Sequence, residues 1–107
     1  MNDINLMNKA ADNIRILAAS MVEKAKSGHP GGAMGGADFV NVLFSEFLVY
    51  DPKNPTWEGR DRYFQDPGHM SPMLYSVLAL TGKFTIDELK EFRQWGSVTP
   101  GHPEVNV

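Results

Sequence analysis

A chain of 107 residues, 42% hydrophobic and 21% charged, can build one modest core and is neither a disordered nor a fibrous segment. Its formal net charge of −3, with Lys and Arg scattered, excludes the basic footprint of a nucleic-acid binder. It has no cysteine, so it has neither a disulfide framework nor a thiolate metal site; with no signal-peptide pattern after Met1-Asn2-Asp3 and no apolar run of membrane-spanning length, the expectation is a soluble, cytoplasmic protein with no membrane partner.

Ile4, Met7, Ala11, Ile14, Leu17, Ala18, Met21 and Ala25 recur at three- and four-residue spacings, which predicts a long amphipathic first helix. Asn2 or Asp3 caps its start, Lys24 and Lys26 suit the negative end of its dipole, and Gly28 is expected to stop it in a left-handed conformation. A glycine-rich loop, Gly28 to Gly36, leads to a second helix at about Ala37–Leu48. Phe39, Val40, Val42, Leu43, Phe44, Phe47 and Leu48 surround most of that helix, so it requires burial on several sides.

Asp51-Pro52-Lys53-Asn54-Pro55-Thr56-Trp57 reads as an extended surface connection, followed by a short strand over Arg62–Gln65. Ser71-Pro72 starts a third helix, with the hydroxyl as its cap and proline in the first turn, running to Gly82. Thr85-Ile86-Asp87-Glu88 is a capping box that opens a fourth, with Leu89, Phe92 and Trp95 on one face and Gly96 as its stop. One short strand among four helices is too little for a closed sheet.

All three histidines follow a glycine, as Gly28-His29-Pro30, Gly68-His69-Met70 and Gly101-His102-Pro103. Proline pushes His29 and His102 out of helical geometry, so each imidazole sits on a turn, and three such groups suggest one converging site. His69 is expected between the strand and a helix N-terminus, where free amides and the dipole favour a phosphate or diphosphate. The glycine loop can bring bare backbone to a ligand, but no Gly-Lys-Ser/Thr makes it a P-loop. Two other chemistries compete. Three imidazoles and a water would make a catalytic zinc centre, against which stands the absence of His-x-His or His-Glu-x-x-His. A non-catalytic helical module could dock a partner through a surface drawn from its 6 Met and 6 Phe.

Lys26-Ser27-Gly28-His29-Pro30-Gly31, with Met34-Gly35 and Ala37-Asp38, resembles the opening signature of transketolase. Asn54-Pro55-Thr56-Trp57, Arg60-Asp61-Arg62, Gly68-His69, Leu74-Tyr75, Leu80-Thr81-Gly82, Leu89 to Gln94 and Thr99 to Glu104 keep the same family's order and spacing. The resemblance covers nearly the whole chain. Around His69 the chain departs from it: Asp66-Pro67 stands where family members more often carry a Ser-Asn or Ser-Ala pair, and Met70 where they carry a small residue, so Pro67 and Met70 are expected to alter the diphosphate contact.

The resemblance implies an α/β fold with a largely parallel sheet, of which residues 1–107 are the N-terminal, incomplete part of the diphosphate-binding domain, mainly helical with one short strand. It implies transfer of a two-carbon ketol unit between ketose and aldose phosphates by thiamine diphosphate, with sugar phosphates as substrates and Mg²⁺ or Ca²⁺ held by ligands outside this chain. A homodimer or a complementary transketolase subunit is the implied partner, and the isolated chain is expected to be inactive. By motif, His29 resembles a histidine beside the substrate hydroxyls that assists proton transfer, His69 with Gly68 the contact to the cofactor diphosphate, and His102 a contact to the donor sugar near its reacting carbons. No metal ligand is assigned within the chain.

Overall fold

Asp3 begins the structure's longest element by accepting hydrogen bonds at its carboxylate from the Asn5 and Leu6 amides, at 2.9 and 3.0 Å. In this computed structural model, which describes residues 2–105, helix α1 spans Ile4–Ala25. Its buried residues, Ala11, Ile14, Ala18 and Met21, are the heart of the predicted stripe; Ile4, at the stripe's start, stays exposed. The stop differs from expectation. Lys26, not Gly28, takes the left-handed conformation at φ 55°, its amide bonded to the Glu23 carbonyl, while Gly28 turns the chain away at φ 128°.

The glycine-rich stretch is helical rather than looped. Pro30–Gly35 forms α2, with Pro30 in its first turn, and Gly36 hinges it to α3 (Ala37–Val42). Leu43–Phe47 continues as a π-turn, closed by the Leu48 amide on the Leu43 carbonyl at 2.9 Å. Two methionines of a later segment account for α2: a Cβ on Gly32 would lie 2.8 Å from Met70 Cγ, and one on Gly36 2.6 Å from Met73 Sδ. Glycine is what permits this approach, and the packing it allows offsets glycine's poor helix propensity.

Residues 51–60 fold into successive turns, not an extended path, as the Asn54, Trp57 and Arg60 amides each reach back three residues. The base of this loop is pinned where Asp61 and Val49 exchange bonds at 2.7 and 2.8 Å. Residues 62–65 form no strand: no segment among those described offers them a ladder, and Tyr63 packs edge-on against Phe44 instead.

A 3₁₀ turn, Gly68–Met70, leads into α4, Ser71–Leu80. Ser71 does not cap the helix; its hydroxyl donates to the Gly101 carbonyl at 2.6 Å. The capping box at Thr85 forms as predicted, with both reciprocal bonds to Glu88, but α5 covers only Ile86–Lys90. Arg93 turns left-handed at φ 62°, and Trp95, expected on the buried face, is fully exposed.

Helix α1 packs on α2, α3 and α4, with α5 closing against α1 and α4. One core joins Ile14, Ala18, Ala33, Val40, Phe44 and Leu74; a second joins Met21, Tyr75, Phe84, Leu89 and Phe92. The apolar segment made of α3 and its π-turn is covered on one side only, leaving Phe39 and Phe47 about two-thirds exposed, at 67% and 69%.

Tyr75 is wholly buried, and its hydroxyl donates to the Pro100 carbonyl at 2.5 Å. Burial, and secondarily the Glu104 charge, push this phenol's pKa well above its ordinary value. The folded state thus keeps a proton that the unfolded chain releases above pH about 10, so stability is intact below that pH and falls by about 1.4 kcal/mol per pH unit above it. Urea midpoints at pH 9 and pH 11 test this; Tyr75→Phe is expected to show a shallower fall.

Candidate functional site

His29 caps α2 in an extended conformation, φ −126° and ψ 106°, as a residue before proline should. His69 sits at the centre of the 3₁₀ turn that enters α4. Because Gly32 seats Met70, the start of α2 lies against that turn, and the His29 and His69 rings meet edge to face with centroids 5.2 Å apart. His102 reaches the same place from the C-terminal side: a Cβ on Gly68 would stand 3.1 Å from its Nδ1. The structure thus brings all three predicted histidines, and Gly68, onto one exposed face.

The segment that carries His102 is held by a set of bonds that sequence reasoning did not find. Ser71 and Tyr75, four residues apart on α4, donate to the carbonyls of Gly101 and Pro100. The Thr99 hydroxyl donates to the Glu88 carbonyl at 3.1 Å, and the Arg93 amide donates to the Thr99 carbonyl at 3.1 Å. Ser-Pro reads as a helix start whether or not its hydroxyl caps, so nothing local marks Ser71 as a cross-chain tie.

The start of α4 is not a row of free amides. Met70 and Ser71 already donate to the carbonyls of Pro67 and Gly68. An anion here would meet exposed imidazoles and a backbone stripped of side-chain bulk at Gly68. That donor set suits a diphosphate, since an imidazole N–H can donate a charge-assisted hydrogen bond to an anionic phosphate oxygen. Among the described residues no three His, Asp or Glu side chains gather as ligands for a metal ion. The histidines line neither of two depressions on the surface. A cleft of about 1190 Å³ opens beside Ser27, Arg93 and Gly101, and another of about 540 Å³ lies by Tyr50 and Tyr63. They form one open wall.

Gly31 and Gly35 on α2 face empty space, with nothing within 4 Å of an added Cβ. Gly31→Ala and Gly35→Ala should each therefore stabilise the fold by about 0.5 kcal/mol through helix propensity. Gly32→Ala, which drives Met70 aside, should instead cost about 1–2 kcal/mol. Urea unfolding of the three variants checks the opposite signs.

Comparison with known proteins adds a family. The family described as transketolase, thiamine diphosphate binding domain, matches residues 6–107. A transketolase of Buchnera aphidicola is 54% identical over 101 residues, 94% of this chain and 15% of that protein. The crystal structure of transketolase from Campylobacter jejuni superposes with a TM-score of 0.90 at 47% identity, over 98% of this chain and 17% of that one. A Pichia stipitis transketolase in complex with sedoheptulose 7-phosphate matches with a TM-score of 0.88 at 44% identity, over 92% of this chain and 14% of that one. The chain thus spans between about one-seventh and one-sixth of the length of the relatives it resembles.

Proposed function

We propose, for a chain that belongs to the transketolase thiamine diphosphate-binding family, that it supplies the histidine wall of a ketol-transfer site. Residues 1–107 would form the opening, incomplete part of the diphosphate-binding domain. The observation that carries this reading is the convergence of His29, His69 and His102 from three separate segments onto one face.

In this reading the His69 imidazole, beside bare Gly68, donates to the cofactor diphosphate. His29 holds or passes a proton at the sugar hydroxyls, a general acid–base role open to an imidazole. His102 orients the donor sugar near its reacting carbons. Thiamine diphosphate, when bound, supplies the carbanion chemistry of two-carbon transfer between ketose and aldose phosphates. Mg²⁺ or Ca²⁺ would be held by ligands from outside this chain, and the opposite wall would come from a second copy or from a complementary transketolase subunit. The exposed Phe39 and Phe47 support the need for such a partner, since covering large apolar side chains is favourable. No helix among the described residues is long and apolar enough to cross a membrane.

The test is NMR of the chain labelled at its histidines. On adding thiamine diphosphate with Mg²⁺, all three ring signals should shift, His69 most. Unmoved rings would refute the reading. Xylulose 5-phosphate and ribose 5-phosphate given to the loaded chain alone should not be turned over.

A further inference from the structure

We propose that Arg93 is a positioning residue that couples the His29 loop to the His102 loop. It makes three contacts between them. Its amide donates to the Thr99 carbonyl at 3.1 Å, three residues before His102. One guanidinium nitrogen donates to the Ser27 hydroxyl at 2.8 Å, two residues before His29. Its Nε lies over Gly101, where a Cβ would come within 3.1 Å.

The residue is held there at a cost. Arg93 is one of two non-glycine residues among those described with positive φ, at 62°, and the other, Lys26, ends a helix. Its Nε is buried without a hydrogen-bond partner among the described residues. A left-handed arginine and an orphaned buried donor are each unfavourable, and such strain persists where surrounding structure over-determines it. Here the surroundings are the two loops that present histidines. An arginine fits this position, because Nη1 at one end of the fork reaches Ser27 while Nε, Cζ and the stem lie over Gly101. The guanidinium also lies 5.7 Å from the Phe92 ring centre, which anchors it to the second core. Arg93 acts on the imidazoles through the backbone on either side of it.

This inference rests on the reading of the histidines as a working site only for its purpose, not for its geometry. The experiment therefore reads geometry first. In the parent chain, nuclear Overhauser contacts are expected between the His29 and His69 rings and between the His102 ring and the Gly68 α-protons. Arg93→Gly keeps the amide and relieves the left-handed strain, so it should melt within about 5 °C of the parent, yet lose or weaken both contacts. Ser27→Ala, at an exposed side chain, should weaken the His29–His69 contact and leave His102–Gly68 intact. Both contacts unchanged in Arg93→Gly would overturn the proposal, as would a parent chain that lacks them. Should Arg93→Gly fail to fold, an unchanged His29–His69 contact in Ser27→Ala overturns it alone. A parent with both contacts that binds no thiamine diphosphate with Mg²⁺ would refute the functional reading and leave the positioning role standing.

Discussion

Tyr75→Ala is expected to leave the chain largely unfolded at room temperature. Tyr75 has no exposed surface and meets Phe84 and Phe92 edge to face, with centroids 5.8 and 6.1 Å away. Emptying a buried aromatic site costs roughly 3–5 kcal/mol, and a domain of this size has about 5–15 kcal/mol in total. A chain with no paired sheet among its described residues and with Phe39 and Phe47 uncovered should sit at the lower end of that range. The same substitution orphans the Pro100 carbonyl, so the His102 segment loosens along with the core. Tyr75→Phe separates the two effects: it keeps the ring packing and removes only the hydrogen bond, for a loss of about 1 kcal/mol. Urea denaturation followed by circular dichroism measures both. A Tyr75→Ala midpoint equal to the parent's would show that the second core contributes little.

Much of this architecture is legible in the residues, and the exceptions share a cause. The α1 stripe and the Thr85 capping box depend on local spacing and side-chain reach, and both form as read. The convergence of the histidines is visible because glycine before each, and proline after two, set them on turns. What local pattern cannot show is a contact made from far along the chain. Five glycines between 28 and 36 read as loop, yet the Met70 and Met73 side chains that fill the places of missing Cβ atoms hold a helix there. Met70, beside His69, is the residue that fills the place over Gly32. Residues 62–65 have strand composition and, among the described residues, no partner to pair with. The periodicity through Trp95 suggests a longer last helix, but the bond from the Arg93 amide to Thr99 ends it early and turns Trp95 outward. Lys26 takes the left-handed turn expected of Gly28, since one residue of that kind is enough to stop α1.

The second large effect is on binding. His69→Ala removes an exposed imidazole that packs against the His29 ring but supports no core, so the fold should survive with its melting point nearly unchanged. The Gly68 backbone and its contact with His102 remain, as do the Ser71 and Tyr75 ties. What is lost is one charge-assisted hydrogen bond to an anion, worth about 1.5–3 kcal/mol, or roughly tenfold to a hundredfold in affinity. His102→Ala, by contrast, is expected to change thiamine diphosphate affinity little, because its assigned contact is to the sugar.

Calorimetric titration of thiamine diphosphate with Mg²⁺ into the 107-residue chain and into its His69→Ala variant tests the central claim most directly. Saturable heat in the parent, weakened at least about tenfold in the variant, is the predicted result; no heat in the parent, or matching isotherms for the two proteins, would contradict it.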